Sequence, residues 1–328
     1  MTRPQPVGFL GLGFYVPRRV MANAELEKLV ETSDEWIRTR TGISERRTAA
    51  DGENTSDLAL KAAQAALEDA KLKPTDLGLL LVATMTPDMP CPSTACILQA
   101  KLGAPQAAAM DVAAACSGFL YGLVMAQQFV ASGVHKHVLV VGAEILSRVV
   151  DWTDRGTCVL FGDGAGAAVI GPTAQGRILS TVLGSDGTKA DLLKVPGGGS
   201  AQPASAESVA ARAHFLKMNG GEVFKHAVRG MSDAAHEAIN RAGLQPEQIA
   251  CVVPHQANIR IIEAVVNRAG LPLEKVFLNM DRYGNMSAAS TIVALCEAVQ
   301  QGRIKKGDYV LLVVFGAGLT WGAAVIKW

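Results

Sequence analysis

The sequence is short of charge, of aromatic rings and of any imbalance of sign. Charged residues make up 19% of its 328 positions and aromatics 5%, and the formal net charge is +1. A near-neutral chain gives no electrostatic reason to expect nucleic acid as a partner. No two of the six cysteines, at 91, 96, 116, 158, 251 and 296, have CxxC spacing. So few thiols in so long a chain fit reduced cysteines in a cytosol better than a disulfide framework. His135 and His137 form an HxH pair with no accompanying ligand cluster. A zinc site needs three or four ligands, so the pair reads as a turn before a strand and no metal is expected. No apolar run approaches the ~20 residues that cross a bilayer. The short apolar run before Arg18-Arg19 has the wrong order for a signal peptide. A cytoplasmic protein off the membrane is expected.

What is present is small and apolar. Hydrophobic residues reach 49%, and there are 33 glycines. The length allows one large domain or two ordinary ones, with a sizeable core. Strand and helix patterns alternate. Val7 to Gly13 reads as a strand, and Asn23 as the cap of a helix over Ala24 to Val30. A helix from Thr55 or Ser56 to Ala70 precedes a strand over Leu77 to Thr84, apolar enough to be buried on both faces. Ala107 to Val112 reads as another buried strand. Phe161-Gly162-Asp163-Gly164-Ala165-Gly166 has glycines like a phosphate loop but not the spacing, and reads as a turn feeding a strand. Residues 172 to 213 change character, with Gly197-Gly198-Gly199-Ser200 and Pro203, and read as a connection with a flexible loop. Strands over Cys251 to Val253 and Val276 to Asn279 flank a helix over Ile259 to Arg268.

One stretch delivers a thiol to a helix start. Asp111-Val112-Ala113-Ala114-Ala115-Cys116-Ser117-Gly118 precedes Phe119, Leu120, Leu123, Val124 and Val130 at helical spacing. There the free N–H groups and the helix dipole would lower the thiol pKa. A small buried core residue is the other reading. The order of elements around Cys116 recurs around Ser287, and Gly164 to Ile170 resembles Gly322 to Ile326. Two α/β halves related by a pseudo-twofold, sharing one core, are expected. That symmetry would set Asn285 opposite Cys116. The expected divisions are 1–174 with the nucleophile, 175–215 connecting, and 216–328 with His255 and Asn285.

These residues resemble a known family over essentially the whole chain. The resemblance is to thiolase-fold condensing enzymes, specifically β-ketoacyl-acyl-carrier-protein synthase III. It rests on Thr32-Ser33-Asp34-Glu35-Trp36, Asp111 to Cys116, Phe161 to Ala168, Pro254-His255-Gln256-Ala257-Asn258, Gly284-Asn285-Met286-Ser287 and Phe315-Gly316-Ala317-Gly318. It implies a layered αβαβα core and the first condensation of fatty acid synthesis. Acyl-CoA would acylate Cys116, with the backbone N–H groups of Cys116 and Ala317 as oxyanion hole. Malonyl-acyl-carrier protein would then lose CO2, and His255 and Asn285 would donate to its enolate oxygen. No cofactor is implied.

The same resemblance assigns Thr32, Trp36, Arg40, Arg155, Gly156, Phe224 and Asn258 to CoA, with the adenine between Trp36 and Arg155. It assigns Lys225, Gln256, Arg260 and Arg268 to the carrier protein, and it implies a homodimer. Cys91 stands at the tip of a loop lent to the partner's acyl pocket, where acetyl-specific members carry Phe; a longer or branched primer would then fit. Ala317 at the middle of a glycine turn must avoid a glycine-only conformation. Two other readings are a specialised secondary-metabolite condensing or acyl-transfer enzyme of the same fold, and a catalytically silent partner subunit.

Overall fold

The computed structural model describes residues 6–173 and 176–328. The expected division between 174 and 175 lies outside the described residues. Nine strands make one sheet: β1 (Val7–Tyr15), β2 (Leu79–Ala83), β3 (Ala108–Val112), β4 (Val138–Ile145), β5 (Asp163–Pro172), β6 (Arg177–Ser185), β7 (Ile249–Pro254), β8 (Tyr309–Gly316) and β9 (Thr320–Lys327). Their order is β7-β8-β9-β6-β1-β5-β4-β2-β3.

The doubling seen in the sequence is written into this order. From β3 inward the pairings run parallel to β2, parallel to β4, antiparallel to β5 and antiparallel to β1. From Val276, which forms one parallel bridge to Val252, they run parallel to β8, antiparallel to β9 and antiparallel to β6. The two series meet where Gly8 of β1 pairs with Arg177 of β6.

Helices fill three layers about the strands. In the outer layer of the first half lie α2 (Thr55–Ala70) and α3 (Thr94–Leu102); in that of the second lie α5 (Gly220–Arg241) and α6 (Ile259–Arg268). Between the halves lie α4 (Gly118–Ala131) and α7 (Ala288–Gln300). At the start of α2 the Asp57 carboxylate accepts the Asn54 N–H at 2.9 Å, and Leu58, Ala59, Ala62, Ala63, Ala66 and Leu67 form the helix's buried face. By contrast α7 is buried along Ala288 to Ala298, as a central helix must be.

Glycines let this middle layer close. A Cβ on Gly142 would stand 2.4 Å from the Ala288 carbonyl oxygen, and one on Gly166 2.5 Å from Ile292. The glycine run over 161–166 therefore serves close approach of strand to helix.

Several expectations need correction. Strand β3 is not buried: it lies at the sheet edge, with Ala108 exposed and Met110 38% exposed. Asn23 does not cap a helix. It is buried within a four-residue helix, Asn23–Leu26, with its amide donating to Asp34 and to the Ile43 carbonyl. Part of the expected connection, β6, is a full member of the sheet. Val276 to Asn279 contributes a bridge and no strand.

Candidate active site

A cavity of about 500 Å³ opens at the ends of α4 and α7. Cys116, His255, Asn285 and Ala317 all line it. Each arrives on a different turn, and the turns are tied together.

Cys116 sits in a single 3-10 turn, Ala115–Ser117, just before α4, and Ala115 takes φ +45°. A non-glycine residue there stores about 1–3 kcal/mol, which the surroundings must hold. The β8–β9 turn does the holding. Ser117 Oγ donates to the Thr320 carbonyl at 3.2 Å, and Thr320 Oγ1 to the Ala114 carbonyl at 3.2 Å. Gly316 approaches so closely that a Cβ would lie 2.8 Å from the Cys116 nitrogen. No backbone carbonyl takes the Cys116 or Ala317 amide among the described residues. Gly318 carries the positive φ of the turn, +135°, which relieves Ala317 of it.

Asn285 is buried, and its backbone bridges Phe161: its N–H donates to Leu160 and its carbonyl accepts from Gly162. Its side-chain oxygen accepts from the Ser287 N–H at 2.8 Å. That bond fixes the amide's orientation and leaves Nδ2 as a free donor among the described residues. His255 follows β7, with its N–H on the Val313 carbonyl at 2.8 Å. Its Nδ1 is buried without a partner among the described residues. Burial pushes the imidazole down to about 4, so it is neutral at physiological pH.

The thiol departs from expectation. Burial pushes Cys116 up to about 12, and a nearby carboxylate, Glu144, adds to the rise. The Ser287 hydroxyl opposes both effects: it lies near enough to lower Cys116 and Glu144, though it makes no hydrogen bond of good geometry. Ser287 has φ +47°, a second strained residue beside the cavity. Glu144, fully buried, accepts from Thr84 Oγ1, the Met85 and Thr86 N–H groups and Thr86 Oγ1, the last at 2.6 Å. Even so, burial holds it up at about 7.

Residues 110–187 match the family model for 3-oxoacyl-[acyl-carrier-protein] synthase III, and residues 239–328 match its C-terminal model. The β-ketoacyl-[acyl-carrier-protein] synthase III of Caldanaerobacter subterraneus subsp. tengcongensis is 57% identical over 322 residues, covering 98% of this chain and 97% of that one. The chain belongs to the synthase III family. Solved structures agree. That of 3-oxoacyl-[acyl-carrier-protein] synthase III from Aquifex aeolicus VF5 matches at TM-score 0.90 and 46% identity, over 98% of this chain and 100% of that one. The β-ketoacyl-[acyl-carrier-protein] synthase III of Thermus thermophilus matches at TM-score 0.88 and 51% identity, over 98% and 99%.

Among the residues expected from the sequence to meet CoA, Phe224 and Asn258 line the cavity. Thr32, Trp36, Arg40, Arg155 and Gly156 do not, and form a lip beside it. Asn258 ties lip to cavity: its Nδ2 donates to the Arg40 carbonyl at 3.1 Å, and its Oδ1 caps α6 through the Arg260 N–H. Ser33 caps α1 (Asp34–Thr41), which presents Trp36. The Arg155 guanidinium lies 5.0 Å from the centre of the Trp36 ring and also donates to the Glu31 carbonyl. No slot for a base stands open between them; ring and guanidinium must part to admit one. Gly156 is exposed, with its N–H on Asp154. Thr32 Oγ1 is buried and has no partner among the described residues.

The basic surface is weaker than the sequence suggests. Lys225 pairs with Glu222 at 2.7 Å, and Arg268 shares Asp233 with Arg229. Arg260 makes no ion pair among the described residues. Gln256 must be withdrawn from this surface. It is fully buried, its amide donating to the Pro254 and Phe277 carbonyls and accepting from the Asn279 N–H. Cys91 is exposed. Its loop is pinned at the base, where Asp88 accepts from Ser56 and Thr86 from β2's end bonds Glu144.

Proposed function

We propose that this synthase III enzyme runs the initiating condensation of fatty acid synthesis through Cys116, His255 and Asn285. The observation that carries the reading is their convergence in one cavity, with the Asn285 amide and the Cys116 and Ala317 N–H groups left free as donors. In the first step Cys116 sulfur attacks the acyl carbonyl of acyl-CoA. Since the thiol is not ionised in advance, its proton leaves during attack. It passes to the departing CoA thiolate, and His255, its basicity pushed down by burial, stays neutral and keeps its ring N–H for the second step. The tetrahedral oxyanion takes the two free N–H groups. In the second step malonyl-acyl-carrier protein loses CO2, and the enolate oxygen accepts from His255 and Asn285. The enolate carbon attacks the acyl-Cys116 carbonyl, the C–S bond breaks, 3-oxoacyl-carrier protein leaves, and the Cys116 thiolate takes up one proton from solvent to restore the thiol. Bonds and protons balance without a cofactor.

The lip and the cavity's Phe224 and Asn258 serve CoA in this reading, with Arg155 swinging off Trp36 to cover the base. Lys225, Arg260 and Arg268, on the neighbouring helices α5 and α6, meet the acidic carrier protein. The protein acts as a homodimer, supported by the free apolar edge of β3, which brings Cys91 to the partner's acyl pocket. Free cysteines throughout the described chain suit a cytoplasmic setting, and no helix among the described residues is long and apolar enough to cross a membrane.

Intact-mass measurement after incubation with a panel of acyl-CoAs tests the reading. One acyl group should add to the wild type and none to Cys116→Ala. Asn285→Ala should still acylate but lose condensation by ~10²-fold or more. Equal loss of both steps in Asn285→Ala would refute the division of labour.

A further inference from the structure

His255 and Asn285 stand on separate loops, and their joint action requires that the loops keep register. A buried polar chain runs from one to the other. Gln256, next to His255, accepts the Asn279 N–H on its side-chain oxygen at 3.0 Å. Asn279 Nδ2 donates to Glu297 Oε2 at 2.9 Å. Glu297 also accepts Arg282 Nη1 and Nη2, at 3.1 and 2.8 Å, and the Tyr283 hydroxyl at 2.7 Å. Tyr283 lies two residues from Asn285. Gln256, Asn279, Tyr283 and Glu297 are all at most 6% exposed.

Glu297 is the hub of this chain, and it sits on the innermost helix. A carboxylate in the middle layer is costly unless every lone pair is used. Here four donors use them, and all come from residues 279–283, the approach to Asn285. The Cys116 turn takes no part. It is held instead by Thr320, Ser117 and Gly316.

We propose that Glu297 is a positioning residue for the second half-reaction: through Asn279 and Gln256 on one side, and Arg282 and Tyr283 on the other, it fixes His255 and Asn285 relative to each other. This rests on the function proposed above. Disturbing the hub should misplace the enolate donors and spare acyl transfer to Cys116.

The test uses Glu297→Gln and a gentler cut, Asn279→Ser, which leaves the Glu297–Arg282 ion pair in place. Acyl transfer from acyl-CoA, followed by intact mass, should stay within about twofold of wild type. The kcat for condensation with malonyl-acyl-carrier protein should fall ~10–100-fold, as for donors displaced by about 1 Å, with KM little changed. Crystal structures should show residues 254–258 shifted relative to 282–287. A general loss of stability would lower both half-reactions together, and that result, or no loss in either, would overturn the proposal. If Glu297→Gln does not fold, Asn279→Ser carries the test alone. If the wild type itself forms no 3-oxoacyl product, the proposed function falls; superposable loops in the variant structures would still overturn the coupling, and displaced loops would support it.

Discussion

At the scale of single residues, the cavity is governed by burial more than by helix ends. The position of Cys116 before α4 predicts a thiol readier to ionise, yet the folded site raises it from 9.0 to about 12. The dipole acts over one turn and in competition with desolvation, which here prevails. Glu144 and His255 show the same force with opposite consequences for stability. Glu144 rises from 4.5 to about 7, so across that window the folded protein keeps a proton the unfolded chain gives up, and stability falls as pH rises. His255 drops from 6.5 to about 4, so there the unfolded chain takes a proton the folded one refuses, and stability falls as pH drops. Each effect is on the order of 3 kcal/mol, and over the shared range they nearly cancel. Glu144→Gln removes one of the two. Relative to wild type, its unfolding free energy should climb by on the order of 3 kcal/mol between pH 4.5 and 7, read from urea unfolding at each pH. Parallel curves would mean that Glu144 enters the fold already ionised.

At the scale of elements, small residues set the distances. Strand β4 lies against the start of α7 only because Gly142 has no side chain there. Gly142→Ala should cost about 1–3 kcal/mol by overpacking, and more if α7 cannot shift. Because α7 begins three residues after Asn285, condensation should suffer beyond the loss of stability; thermal unfolding and product formation, measured together, would show it. Much at this scale is legible in the sequence, and for definable reasons. Helices α2, α4 and α6 carry an apolar stripe or a cap that needs no tertiary knowledge. Cys116, His255 and Asn285 stand in short motifs whose residue types have few other uses together. What escapes is what depends on neighbours in space. Ala108 to Val112 is apolar enough for a buried strand, and only the strand order shows it at an edge. Gln256 looks like a surface amide until Asn279 is brought to it. Glu144 and Glu297 give no local signal, since a buried carboxylate is recognised by its donors, and these come from 58–60 residues away for Glu144 and 14–18 for Glu297.

At the scale of the whole molecule, the sheet has two ends of different character. Val276 bridges β7 at one end; β3 presents a bare, half-apolar edge at the other. Such an edge invites another strand, and the exposed Met89 and Met110 reinforce the invitation. The wild type should sediment as a dimer, and Met110→Lys as a single 34.4 kDa chain with impaired acyl transfer. A monomeric wild type would remove the basis for a role of Cys91 in a neighbour's pocket. The lip has a different consequence, one of timing. If the lip takes CoA as proposed, Arg155 resting on Trp36 is a tethered competitor for the aromatic face that the nucleotide would use. Two substrates passing in turn through one opening would require spent CoA to clear before the carrier protein delivered its load. On that reading, a guanidinium that reclaimed the ring each time the base lifted would shorten the residence of the product, trading some grip on the first substrate for faster turnover to the second.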